Sequence, residues 1–431
     1  MFKDDRPSNP MTFVVRFEFS GKADSDALNQ SLEFAFERHP LLRAIIGPAK
    51  RGTDCWLASD VKTEINWGGL DDPVDCPSGE HINLRKEPGV RLWVRGDESR
   101  TVLLAQFHHA ACDGIGSYQF LGDLLWKYSK LTSDVELPDL PELNPVALRS
   151  RAAASYALEN FRKPNGKFRG EFGEFWNLAV REQTPLRPLK KSAPPASECS
   201  FPGIFSHSFG KKDYKSLRLA AQEKGQTTNE CLIEHLFAAI CEWNCKSGRS
   251  EKRQRLAVMV PMDLRQPENE TFSATNCVTY AMLRRPSREL SDRSKFSESL
   301  GHQMSVLKSQ RHSSSIMNIC SSMRRYPRIT QFALNRTHCL ASAVLSNTGD
   351  PTRSFYVDLP REGGKLRCGN LLLESVAGVP PMRTQTNVTV SVFTYCRVLQ
   401  LSVRCNPNQF SDADTQAFLD LYVKHISSEI A

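Results

Sequence analysis

The sequence predicts a mixed α/β protein built in two lobes. Three observations carry that expectation. Apolar runs with the period of a strand alternate with amphipathic stretches of helical period along most of the chain. Two proline-rich passages interrupt the alternation before its midpoint. The length, 431 residues, suffices for two lobes of ordinary size.

Near the start, Phe13-Val14-Val15-Arg16-Phe17-Glu18-Phe19 alternates like a half-buried strand. Asp24 or Ser25 can cap the helix that follows, which places Leu28, Leu32, Ala35 and Phe36 on one face. It runs into Arg38-His39-Pro40-Leu41-Leu42-Arg43, where His39 reads as a helix-end residue rather than a catalytic one. Val102 to Phe107 is an apolar run of buried-strand type, and Asp113-Gly114 with Gly116 reads as the turn that ends it. Phe120, Leu121, Leu124, Leu125 and Tyr128 then recur at helical spacing and form a core stripe. A passage from Leu137 to Pro145 leads into a polar helical region rich in alanine and charge. Residues 185–206, with Pro188, Pro194 and Pro195, are the expected crossover between an N-terminal lobe of residues 1–184 and a C-terminal lobe of residues 207–431. Helices at Lys212 to Glu223 and Thr228 to Asn244 precede a strand ending near Pro261.

The most informative stretch joins the apolar run to the core helix: His108-His109-Ala110-Ala111-Cys112-Asp113-Gly114. Neighbouring side chains on a strand point to opposite faces. His108 and His109 therefore have different jobs and do not chelate one metal. One imidazole faces a cavity, where it can take a proton near neutral pH as a general base; the other faces the packing side. Asp113 shapes the site. A pair of core or surface histidines before a tight turn is the competing reading. Cys112 reads as packing, with a nucleophilic role second.

The pattern His-His-x-x-x-Asp-Gly resembles the signature of thioester-dependent acyltransferases with the chloramphenicol acetyltransferase fold, the superfamily of the nonribosomal-peptide condensation domains. Arg38-His39-Pro40 after a strand and helix is similar to the opening of condensation-type acyltransferases. Val260-Pro261-Met262-Asp263-Leu264-Arg265 resembles their Pro-x-Asp-x-Arg segment, followed by Asn276-Cys277-Val278-Thr279-Tyr280. The resemblance implies two lobes, each a mixed sheet flanked by helices, around a central tunnel. It implies that His109 is the base, that Asp113 forms an ion pair with a distant arginine, and that Gly114 leaves room beside the thioester. Arg265 is the candidate partner, since a buried carboxylate favours a bidentate guanidinium; a surface arginine after a strand fits the sequence equally well.

Val344-Leu345-Ser346-Asn347-Thr348-Gly349 is similar to the Ser-Asn-x-Gly stretch of the family, and the runs from Val390 and Val398 resemble its channel-floor hairpin. Ser346, Asn347 and Thr394 are candidates for the tunnel wall or for oxyanion donors; plain turn or strand hydroxyls are the alternative. The hairpin turn reads Thr394-Tyr395-Cys396-Arg397 where the family often has Ser-Tyr-Asn-Gly, and Asp-Phe-Gly-Trp-Gly is absent, which argues against the plant alcohol acyltransferase branch.

The implied reaction moves an acyl group from acyl-coenzyme A or a phosphopantetheinyl acyl carrier protein to an alcohol or amine acceptor. No permanently bound cofactor and no metal are expected. The alternatives are a free-standing amide-forming condensation enzyme and a catalytically silent relative that binds a carrier or lipid-like ligand. A formal charge of +8 would suit a phosphate-bearing partner, although an ordinary basic surface explains it as well. The basic run from Lys246 to Arg255 reads as a solvated turn, and no nucleic-acid motif accompanies it. No apolar stretch approaches the roughly 20 residues of a membrane span. Thirteen scattered cysteines and a polar N-terminus fit a reduced, cytoplasmic protein, and one tunnel per chain would let a monomer work.

Overall fold

The computed structural model describes residues 2–48, 54–76, 79–149, 182–189, 201–265, 271–309 and 338–430. The polar helical region after Pro145, from residue 150 to 181, and the middle of the 185–206 crossover lie outside the described residues. The fold is mixed α/β, with two sheets flanked by helices, as the sequence predicts.

The first sheet is built on β1 (Thr12–Ser20), which lies between β6 (Arg100–His108) and β13 (Leu371–Val379), antiparallel to both. Beyond β6 come β5 (Val90–Gly96) and β4 (Ile65–Gly68); beyond β13 come β12 (Lys365–Cys368) and β11 (Arg361–Glu362). A short hairpin, β2 (Ile45–Pro48) with β3 (Asp54–Leu57), stands apart from the sheet. Phe13, Val15, Phe17 and Phe19 alternate towards one face and pack under helices α1 (Ser25–Arg38) and α3 (Gly114–Thr132); the single turn α2 (Pro40–Arg43) follows α1. Asp24, not Ser25, caps α1 by accepting from the Ala27 N–H at 2.8 Å. Three strands of this sheet come from residues 361–379, so the two layers do not follow chain order.

The second sheet runs β7 (Phe205–Phe209), β15 (Val398–Cys405), β14 (Val388–Tyr395), β10 (Ala343–Gly349), β8 (Arg255–Asp263) and β9 (Val278–Pro286). Its apolar face, Val258, Leu345, Val390 and Leu401 among others, packs against the helices Lys211–Glu223, Thr228–Lys246 and Asp412–Ser427. The β14–β15 hairpin turns through Cys396 and Arg397 with φ of 52° and 63°, the left-handed pair of a type I′ turn made without glycine. Its tip is tied to the first sheet: the Tyr395 hydroxyl accepts from the Leu366 N–H at 2.7 Å and donates to the Leu373 carbonyl at 3.0 Å. The sheets also meet at Gly378, where a β-carbon would stand 2.5 Å from the Val14 carbonyl oxygen and 3.3 Å from Phe393. Among the described residues, no helix is long and apolar enough to cross a membrane.

Candidate active site

At the end of β6 the backbone fixes both histidines. The His108 N–H donates to the Gly89 carbonyl and the His109 N–H to the Met11 carbonyl, each at 2.8 Å. Their rings then part, as strand geometry requires. His108 is fully buried; its Nδ1 accepts from the Ala110 N–H at 3.0 Å and its Nε2 lies 3.2 Å from the Asp5 carboxylate. Asp5 also accepts from the Met11 N–H at 2.8 Å and faces His81 Nε2 at 2.7 Å. Burial pushes the Asp5 carboxyl up, but the hydrogen bonds from His108 and Met11 outweigh it and hold the group below its usual range. The candidate His108 is thus placed on the packing side, where its contact with Asp5 ties it to the N-terminal segment.

His109 lies on the other face, only 8% exposed, with its ring 5.3 Å from that of Phe13 in an edge contact. The Asn276 side-chain nitrogen is 2.7 Å from His109 Nδ1 and also donates to the His109 carbonyl oxygen. Burial lowers the imidazole to about 4, and the nearby negative charge of Asp113 recovers only part of that loss. At neutral pH the ring is uncharged and keeps one lone pair for a proton.

Asp113 is the joint of the site. One oxygen caps α3 by accepting from the Gly116 N–H at 2.8 Å, and the other accepts from the Cys277 N–H at 2.7 Å. Arg265 closes on the same carboxylate with both terminal nitrogens, each at 2.9 Å. Burial alone would raise the Asp113 carboxyl; the guanidinium and the N–H donors reverse the direction and keep it ionised. Burial likewise disfavours charged Arg265, and Asp113 more than restores it. Arg265 also donates to the Thr275 carbonyl at 2.9 Å, fixing the segment that carries Asn276. Two further contacts hold that segment: the Ala274 N–H donates to His39 Nδ1 at 2.8 Å, and the Tyr356 hydroxyl donates to the Phe272 carbonyl. His39 Nε2 in turn faces Asp123 of α3 at 3.1 Å. His39 is the C-cap of α1, and it ties α3 to residues 271–277.

The two glycines after Asp113 differ. A β-carbon on Gly116 would stand 2.9 Å from the Thr275 carbonyl oxygen, so that glycine is demanded by packing. A β-carbon on Gly114 would meet nothing nearer than Thr348 at 3.8 Å and Tyr118 at 3.9 Å. A methyl group there would rest in ordinary van der Waals contact with both side chains. A cavity of about 320 Å³ adjoins the site, lined by Phe2, Ile46, Asp54, Trp56, Ala110 and Asn276.

No family model matches the chain. It is 23% identical over 375 residues to an uncharacterised Mycobacterium tuberculosis protein, Rv2305 in strain H37Rv, covering 81% of this chain and 80% of that protein. The first condensation domain of the calcium-dependent antibiotic synthetase superposes with a TM-score of 0.67 at 14% identity, covering 98% of this chain and 91% of that one. Trichothecene 15-O-acetyltransferase from Fusarium sporotrichioides gives 0.66 at 11% identity, over 98% of this chain and 91% of its own. The starter condensation domain of rhizomide synthetase, solved with C8-CoA, gives 0.63 at 13% identity, over 99% and 90%. The chain has the condensation-domain, chloramphenicol acetyltransferase-like fold.

Within this condensation-type fold the remaining candidates scatter. Ser346 and Thr394 are half-buried on β10 and β14. Thr394 Oγ1 would be 3.9 Å from a β-carbon on Gly349. Asn347 is exposed and turned away: its amide donates to Asn229 at 3.1 Å and its oxygen accepts from the Gly349 N–H at 3.1 Å, so it caps a strand end. Alternation along β10 explains this, because Ser346 and Thr348 share one face and Asn347 the other. Thr348, beside Gly114 and hydrogen-bonded to buried Tyr118, had no expected role, and Asn276 was expected only as the residue that opens the segment after Arg265. Tyr118 lies one helical turn after Gly114, a spacing that could have pointed to it.

Proposed function

We propose that the protein transfers an acyl group from a thioester to an alcohol or amine acceptor, with His109 as the general base. One observation carries the reading: an imidazole kept neutral by burial sits between segments that flank both sheets and touches Asn276, which lines a cavity. His109 removes the proton from the acceptor hydroxyl or amine as that atom attacks the thioester carbonyl. The tetrahedral oxyanion collapses, the carbon–sulfur bond breaks, and the departing thiolate takes the proton back from the imidazolium. Asp113 stays ionised throughout, because Arg265, Gly116 and Cys277 hold it; its charge favours the imidazolium that forms. General-base catalysis contributes about 10²–10⁴-fold, and fixing donor and acceptor together can add more. Acyl-coenzyme A and a phosphopantetheinyl carrier are both suitable donors and enter as substrates; C8-CoA bound to the rhizomide synthetase domain supports the first.

The test is thiol release from a panel of acyl-coenzyme A and carrier-bound thioesters, offered with mixed alcohols and amines. Turnover with at least one donor, lost in His109→Ala, is the expected result. No acyl transfer across the panel, or full turnover in the variant, rejects the proposal. The donor arm that responds separates an acyl-coenzyme A enzyme from a carrier-dependent condensation enzyme.

A further inference from the structure

Asn276 makes more contact with the His109 ring than a neighbour holding it in place requires. Its side-chain nitrogen donates to the His109 carbonyl oxygen and stands 2.7 Å from Nδ1, while its oxygen accepts from the Val278 N–H at 3.2 Å. These partners set the orientation of the amide. Turned over, it would face oxygen to oxygen at His109 and N–H to N–H at Val278. An amide nitrogen carries two hydrogens and accepts none, so Nδ1 must be the acceptor. A neutral imidazole has one ring proton, which therefore sits on Nε2.

We propose that Asn276 is a tautomer latch on His109. With the amide in place, Nε2 bears the proton and the only lone pair, on Nδ1, is covered. With the amide withdrawn, the His109 carbonyl oxygen, which the ring can already reach, becomes the acceptor for Nδ1–H, and Nε2 is left as the basic nitrogen. Asn276 also lines the 320 Å³ cavity, so a molecule entering it meets the latch first. An alcohol or amine with an apolar body suits walls made by Phe2, Ile46 and Trp56. Occupancy of the cavity then arms the base, and an empty site keeps it disarmed. The purpose of the latch rests on the acyl-transfer reading, but its test does not.

The test is the tautomer itself, read from ring nitrogen shifts of the full-length protein labelled at histidine, with His109 assigned by its loss in His109→Gln. The proton is expected on Nε2 in the unchanged protein and mainly on Nδ1 in Asn276→Ala. In Asn276→Asp, which keeps the shape, the carboxylate accepts from Nδ1–H and its charge raises the titration midpoint by about one unit or more. A ring proton on Nδ1 in the unchanged protein overturns the proposal without any variant. So does an Asn276→Asp protein that folds and keeps both the original tautomer and midpoint. Absence of thiol release in every donor assay would remove the acyl-transfer reading and leave the tautomer result standing.

Discussion

Two buried imidazoles in this molecule meet the same desolvation and differ in everything else. His109 lies between Met11, just before β1, and Asn276, just before β9. His235 lies within the helical layer of the second sheet, 1% exposed, beside a cavity of about 380 Å³ lined also by Glu234, Glu242, Arg293 and His425. Burial holds both rings below the usual histidine range. His235 comes within 3.3 Å of Glu429, which Lys224 also pairs, and its ring centre is 6.5 Å from that of His425. Among the described residues, the carboxylate beside it is held by the exposed Lys224 and Arg293, not by a buried arginine. A depressed imidazole is therefore common property of a packed interior. What distinguishes His109 is the rigid company of Asp113, Arg265 and Asn276, drawn from chain segments more than 150 residues apart in sequence.

The largest break in this comparison is functional. His109→Ala is expected to lower thiol release by about 10²–10⁴-fold, while His235→Ala changes it less than about twofold at matched folded concentration. Equal losses in the two variants would make His109 a packing residue. Next comes Asp113→Ala, which strips Arg265 of its buried partner and α3 of its cap. A loss of about 3–5 kcal/mol in denaturant unfolding is expected, together with the activity. A variant as stable as the parent would show the ion pair to be dispensable.

Gly116→Ala and Gly114→Ala sharpen the contrast between tight and ordinary packing. The first forces Thr275 aside and is expected to cost about 1–3 kcal/mol of stability. The second is expected to leave the unfolding midpoint nearly unchanged and, on the proposed acyl-transfer reading, to reduce turnover by placing a methyl group beside the thioester. The reverse pattern would exchange the roles of the two glycines.

The last contrast is in the pH dependence of stability. His109 titrates at about 4 when folded, below the roughly 6.5 of an unfolded histidine. Between those values the unfolded chain binds a proton that the folded chain refuses, so stability falls as pH drops from about 6.5 to about 4, by at most ~1.4 kcal/mol per pH unit for one group. His109→Gln should flatten that slope in denaturant unfolding run at several pH values, and His235→Gln should do the same. A slope unchanged by either substitution would mean that the rings are hydrated in solution.

How much was legible follows from the range of each interaction. The turn from β6 into α3, with Asp113 as its cap, is local, and the alternation and helical spacing around it can be read along the chain. Arg265 was legible as a charge that a buried carboxylate needs, but its partnership could equally have been a surface position. The direction in which Asn347 points was not readable, because a single strand does not declare which face its sheet buries. The placement of residues 361–379 in the first sheet was hidden for the same reason: strand pairing across more than 300 positions leaves no periodic mark.

The sequence by itself determined the α/β character, the strand-turn-helix that presents His109, and the demand that two adjacent histidines part. Each depends on periods of two or 3.6 residues and on backbone groups close in the chain. Only the tertiary structure decided which histidine is buried against Asp5 and which meets Asn276, because that choice belongs to segments brought together by burial of their apolar faces. Local rules fix where side chains can point; the packing of distant segments fixes what they find there.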